Sequence, residues 1–214
     1  DAPEEDYTCT GAFAWVCDED DDSNASSSGM PIEMFMNKSI IEKFQKTFSE
    51  TGRKNRQKRT TMPEWSYVLA KELDHTVRCK CCQMDFYGNE DSMCPWCDTE
   101  NNVIKVSSYK VHDERKELKW DFVQEISDEM VNIPLRVLEG FNSNHLDEKA
   151  FKIIWSEDGI EIGELSNQYD FFLQDSVGKQ IYGSTKFSAV DKIILAAIDR
   201  RNGNRYLLEI EVKQ

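Results

Sequence analysis

"VRCKCCQMDFYGNEDSMCPWCD", Val77 to Asp98, holds five of the seven cysteines of a 214-residue chain. They resolve into Cys79-x-x-Cys82, eleven intervening residues, and Cys94-x-x-Cys97. A two-residue gap turns both sulfurs of a pair toward one centre, and the amides inside the turn can donate to thiolates. Two such turns supply four soft ligands, the set Zn²⁺ takes as a tetrahedron with metal–sulfur distances of about 2.3 Å. The linker "QMDFYGNEDSM" alternates around a polar Gly-Asn-Glu-Asp tip, which suits a hairpin that folds the second pair onto the first. This is the zinc-ribbon arrangement, with Cys79, Cys82, Cys94 and Cys97 as the expected metal ligands. Cys81 is a spare, because one residue between Cys79 and Cys81 leaves too little chain for the turn.

A thiol–disulfide role for "CPWC" needs its first cysteine at a helix N-terminus in a βαβ setting. Here "DTENN" follows and no parallel strand precedes, so metal is the expected chemistry. Four cysteines close the coordination sphere and leave no position for water or substrate, which makes the zinc structural rather than catalytic. A span this short cannot fold on a hydrophobic core alone, and metal binding would supply the missing free energy.

Two helices are expected before the ribbon. In "SIIEKFQKTFSE", Ser39 and Glu42 have capping-box spacing, and Ile41, Phe44 and Phe48 follow as one apolar stripe; Gly52 is the expected stop. In "TMPEWSYVLAKELDH", Thr61 and Glu64 repeat the capping spacing, and Pro63 sits in the permissive first turn. Trp65, Val68, Leu69 and Leu73 line one core-facing side. Residues 1–30 carry nine acids and no base, with the run "DEDDD" and a short apolar anchor "GAFAWVC", and read as an acidic, mostly extended segment. Cys9 and Cys17, eight apart with no matching histidines, read as free thiols.

After the ribbon the character changes. "IPLRVLEGF", "AFKIIW", "GIEIGEL", "YDFFLQD", "KQIYG", "KIILAAID" and "RYLLEIEVK" are β-prone, and "SEDG", "DSVGK" and "RRNGN" punctuate them as turns. Asn202-Gly203 is a strong hairpin signal. With no helix between them, these strands favour an antiparallel sandwich or barrel over a parallel sheet. "KWDFVQEISDEM" fits either a strand or a helical turn. The expected fold class is therefore α+β multidomain: an acidic segment 1–30, a helical pair 31–76, a zinc ribbon 77–104 and an all-β domain 105–214.

The net charge is −14. Such a balance repels nucleic acid at long range, although "GRKNRQKR" (Gly52 to Arg59) places five bases together. That run reads as a solvated loop. Clustered CxxC pairs in a Lys/Glu-rich chain indicate a reducing compartment, so a cytoplasmic location is expected. No stretch approaches the roughly 18–20 consecutive apolar residues of a membrane span, and no membrane partner is expected. The opening "DAPEEDYTC" has no initiator Met, and the chain reads as either processed or cut from a longer protein.

The stretch from "AFAWVCDEDDDSNASSSGMP" through "IIEKFQKTF" to "GRKNRQKRTTMPEWSYVLAKELDHTVRCKCCQMDFYGNEDSMCPWC" resembles the C-terminal region of a group of bacterial serine/threonine protein kinases. In that group the last C-lobe helices, marked by Arg-Pro-Ser/Thr-x-x-Glu-Trp, run directly into a CPWC zinc ribbon. Arg59, Thr60, Glu64 and Trp65 match the signature; Thr60 stands where the group has proline, and the proline here is Pro63. The resemblance covers residues 11–98. It implies a regulatory or protein-interaction role, with a kinase domain in cis, or a phosphatase and a von Willebrand type A protein in trans, as partners.

The chain is not itself expected to be an enzyme. It contains no Gly-rich loop, no Val-Ala-x-Lys strand, no His-Arg-Asp loop and no Asp-Phe-Gly triplet. His75, His112 and His145 lack catalytic context. Glu157, Asp158, Asp170 and Asp175 sit at strand ends, where solvated turn residues belong. The alternative reading is a nucleic-acid-binding zinc-ribbon module, drawn from the basic run with Trp65 and Tyr67 nearby. The acidic "GNED" tip argues against it.

Overall fold

A computed structural model describes residues 36–88, 92–113, 115–126, 130–156, 158–174, 178–188 and 192–213. The chain divides into two compact units at the Leu73–Asp74 boundary.

The first unit is helical. Helix α1 spans Lys38–Phe48, and its cap is Asn37, whose Oδ1 accepts from the amides of Ser39 (2.8 Å) and Ile40 (3.1 Å). The expected Ser39–Glu42 box is thus displaced. Asparagine is the stronger cap, and it starts the helix early enough to enclose Ser39, whose hydroxyl donates to Asn37. Gly52 does not end this helix either. Ser49 closes α1 and caps a second helix, α2 (Glu50–Lys54), with Gly52 buried inside it. A Cβ at Gly52 would lie 2.4 Å from the Lys46 carbonyl oxygen, so glycine is required there by close approach. Helix α3 spans Met62–Leu73. Its Thr61–Glu64 box forms: the Thr61 amide donates to Glu64 Oε2 at 2.7 Å, and the Glu64 amide to Thr61 Oγ1 at 3.4 Å. The Thr61 amide, with Lys46 also donating to the carboxylate, holds the Glu64 carboxyl down at about 2.

Phe44 and Trp65 meet edge to face at 5.2 Å, joining α1 to α3. Val68 is buried, but Leu69 and Leu73 are 50% and 67% exposed, contrary to the expected core-facing stripe. One helix laid against a stripe this wide covers only part of it.

The second unit is antiparallel β. Strands β1 (Thr76–Arg78) and β2 (Asp85–Tyr87) form a two-stranded sheet. A six-stranded sheet contains β3 (Val103–His112), β4 (Arg115–Glu125), β8 (Tyr169–Leu173), β9 (Gln180–Ile181), β11 (Lys192–Asp199) and β12 (Arg205–Lys213), in the order β4-β3-β12-β11-β8-β9. A four-stranded sheet takes β5 (Met130–Pro134), β6 (Lys149–Ser156), β7 (Gly159–Gly163) and β10 (Thr185–Ser188), in the order β10-β7-β6-β5. The two larger sheets pack as a sandwich. Phe151 of β6 meets Phe171 of β8 edge to face at 5.9 Å, and Ile153, Ile162, Leu195 and Leu208 are fully buried around them. Among the described residues neither sheet closes into a barrel.

Period-2 burial explains why the strands form. In β11, Ile193, Leu195, Ala197 and Asp199 are buried and the residues between them half-exposed; β12 repeats this with Tyr206, Leu208 and Ile210. Gly203, at φ +71°, turns the β11–β12 hairpin, and buried Asp199 organises the loop by accepting from Arg201 and Asn202. The ambiguous "KWDFVQE" is strand, the second half of β4.

Not all of the β-prone "IPLRVLEGF" is extended. Past Pro134, Arg136–Glu139 forms a helical turn, α4, with Leu135, Val137 and Leu138 fully buried. Two strands had no place among the expected segments. The apolar pattern of β3 is broken by Ser107-Ser108, which hides its period although the strand itself is continuous, and β10 is only four residues long.

Candidate metal centre

Each cysteine pair sits at the tip of a separate turn, and the two turns repeat one another bond for bond. In the first, the Gln83 amide donates to the Cys79 carbonyl and the Cys79 amide to the Met84 carbonyl, both at 3.0 Å. In the second, the Asp98 amide donates to the Cys94 carbonyl and the Cys94 amide to the Thr99 carbonyl, both at 2.9 Å. The residue after each second cysteine takes a left-handed backbone: Gln83 at φ 61° and Asp98 at φ 54°. The sulfurs follow the same rule. Cys79 accepts from the amides of Cys82 and Cys81, Cys94 from those of Trp96 and Cys97, Cys82 from Met84 and Cys97 from Thr99.

The consequence is a four-sulfur cage. All four Sγ atoms lie within 4.8 Å of one another, with Cys79–Cys97 and Cys82–Cys94 each at 3.6 Å. A tetrahedron with 2.3 Å metal–sulfur bonds has sulfur–sulfur edges of ~3.8 Å, so the cage can hold one metal ion with little movement. Cys79 and Cys94 are buried and Cys82 and Cys97 half-buried, while Cys81 is exposed and outside the cage. Cys9 and Cys17, the acidic segment and the Asn89–Asp91 tip lie outside the described residues.

The amides and burial act in opposite senses on the thiols. The Thr99 hydroxyl, 3.3 Å from Cys97 Sγ, brings that thiol down to about 6, whereas burial pushes the Cys94 thiol up to about 12. A dication at the centre would offset the burial and ionise the whole set.

Residues that the motif did not single out hold the cage shut. Asn101, fully buried, accepts from the Lys80 amide at 2.9 Å and donates from Nδ2 to the Thr99 and Ser92 carbonyls. It thereby ties the first turn to the second. Trp96 donates from Nε1 to the Asp85 carbonyl, fastening the second turn to β2. Gly88 passes so close to Val77 that a Cβ would come within 2.6 Å of its Cγ2, and the Gly88 amide donates to the His75 carbonyl. The expected hairpin is also differently drawn: Asp85–Tyr87 pairs back onto Thr76–Arg78 instead of closing on the residues that follow it.

The cage is not separate from the sandwich. Val77, Cys79, Phe86 and Cys94 share one buried cluster with Val103 of β3 and Val123 of β4. Asp74, just ahead of β1, is fully buried; it takes Arg136 through two nitrogens and the Trp120 indole at 2.8 Å, and its carbonyl accepts from the Val123 amide.

Of the remaining candidates, Glu157 and Asp175 lie outside the described residues, His112 is exposed, and three others are engaged by neighbours. His75 is buried with Nε2 3.0 Å from Asp121, and His145 pairs with Glu139 at 3.0 Å. Asp170 holds Arg200, and Asp158 is exposed. Within the basic run, Arg59 donates to the carbonyls of Gly52 and Arg53, and Lys54 pairs with Glu50. Among the described residues no helix is long and apolar enough to cross a membrane. In comparisons with known proteins, no family model, no curated protein and no solved structure matches this chain.

Proposed function

We propose that the chain is a non-catalytic, zinc-stabilised regulatory or protein-interaction region of a bacterial serine/threonine kinase system. The observation that carries this reading is the closed cage: protein sulfurs supply all four positions and two of them are buried, a geometry suited to holding structure rather than to binding substrate. Zinc is the metal such a four-thiolate tetrahedron favours, with iron the principal competitor. The kinase connection rests on the resemblance of the sequence over residues 11–98 to the end of a kinase C-lobe and its ribbon. On this reading the partners are proteins, a kinase domain in cis or a phosphatase and a von Willebrand type A protein in trans, and the setting is cytoplasmic.

Two measurements test it. Elemental analysis after metal-replete expression is expected to give about one zinc per chain; less than half an equivalent counts against the ribbon, and stoichiometric iron replaces zinc. The coding sequence upstream of Asp1 is expected to continue in frame into a Gly-rich loop, a phosphate-binding lysine and Asp-Phe-Gly. An initiator Met directly upstream removes the kinase connection and leaves a metal-stabilised module.

A further inference from the structure

The outer face of a sandwich sheet is normally polar, because alternate residues point to solvent. One end of the six-stranded sheet departs from this. Registration places Tyr109, Leu207, Ala196 and Phe172 side by side across β3, β12, β11 and β8, with Leu118 of β4 next to Tyr109. The adjacent row carries Val111, Arg205 and Ile198. These positions oppose the buried row of Ser108, Leu208 and Leu195, so they lie on the face turned away from the core. A cleft of about 520 Å³ opens over Leu207, Ala196, Phe172, Val111, Arg205 and Ile198.

Its rim is cationic in a chain whose net charge is −14. Arg115, Lys116 and Arg205 line it, and Asp113 is the only acid among the described lining residues. Lys116 is engaged by Glu209 at 2.7 Å and lies 4.5 Å above the Tyr109 ring. Arg115 and Arg205 have no side-chain partner among the described residues. A second copy of the chain is a poor occupant, since it would bring arginine against arginine and one acidic molecule against another.

From the apolar floor, the guanidinium groups of Arg115 and Arg205, which have no side-chain partner among the described residues, and a volume inside the range of small-ligand sites, we propose that this cleft binds a carboxylate with a medium-length acyl chain. The chain lies along Leu207, Ala196, Ile198 and Phe172, and the carboxylate meets Arg205 and Arg115 at the rim. Guanidinium groups suit this role because their paired N–H groups match a carboxylate.

The test is a titration of the metal-loaded, ¹⁵N-labelled full chain with octanoate, octylammonium and octanol, read by amide shifts. Octanoate is expected to shift the amides of Ala196, Ile198 and Leu207 saturably, and octylammonium to bind at least about tenfold more weakly. Ala196→Trp fills the floor and abolishes binding. Arg115→Gln with Arg205→Gln weakens octanoate about tenfold and leaves octanol unchanged; this pair lies on the surface and decides the matter if the tryptophan variant fails to fold. The proposal is overturned by no saturation at about 10 mM octanoate, by equal binding of octylammonium, or by octanoate binding that survives in a folded Ala196→Trp chain. Amides of the cleft that shift only with an added protein partner, and not with octanoate, also overturn it.

Discussion

The ribbon and the six-stranded sheet solve the same problem with different means, although they meet in one unit. The sheet buries whole rows of side chains: Ile193, Leu195 and Ala197 beside Tyr206, Leu208 and Ile210. Burial of that kind stabilises by about 25 cal/mol per Å² of apolar surface and needs no ligand. The ribbon brings Val77 and Phe86, with Trp96 packed beside them, and completes its cluster with four sulfurs and with Val103 and Val123 of β3 and β4. A small region lacks the area to fold by burial alone, so it uses cross-links of another kind. On the proposed reading the comparison teaches that the ribbon would depend on the sandwich and on a bound metal together, while the sandwich would depend on that metal only at its β3–β4 end.

The sharpest way to break this contrast is Cys94→Ser. Loss of one of four thiolates should abolish stoichiometric metal binding and with it apparent binding free energy on the order of 10 kcal/mol. Hydrogen exchange should then show Val77, Cys79 and Phe86 unprotected while Leu195 and Leu208 stay protected. Equal loss of protection in both places would show that ribbon and sandwich unfold as one.

Leu208→Ala is the converse experiment. It should cost about 2–5 kcal/mol in global stability by chemical denaturation and leave one metal per folded chain; early release of metal would mean the cage relies on the far side of the sheet.

The seam between the regions is tested by Asp74→Ala. Removing this carboxylate takes three hydrogen bonds from Arg136 and the Trp120 indole, and a loss of about 3–5 kcal/mol is expected. A loss below about 1 kcal/mol would mean that water replaces the carboxylate and the seam is held by apolar contact alone.

Cys81→Ser is expected to do least. The side chain is exposed and outside the cage, so metal content and melting temperature should be unchanged. Loss of metal in this variant would overturn the assignment of Cys82 as a ligand.

Much of the centre was legible because its information is local. The CxxC spacing closes each turn within six residues, and the left-handed Gln83 and Asp98 follow from that closure. Asn101 was not legible: an asparagine in a loop has no pattern, and its role exists only once two turns lie side by side. The helix starts show the limit from the other side. Thr61–Glu64 formed as spaced, but Asn37 outcompeted Ser39 from two residues upstream, a choice that spacing rules alone do not rank.

By itself, then, the sequence determined the four-sulfur set, the helical opening and an antiparallel β region, because turn closure and residue periodicity act over a few neighbours. Tertiary structure alone decided that ribbon and sandwich share a core, that Asp74 reaches Arg136 and Trp120, and that Leu207, Ala196 and Phe172 line up on an outer face. The physical reason is the same in each case. Strand register and sheet order bring together residues tens of positions apart, and nothing in the local chain encodes which row will meet which.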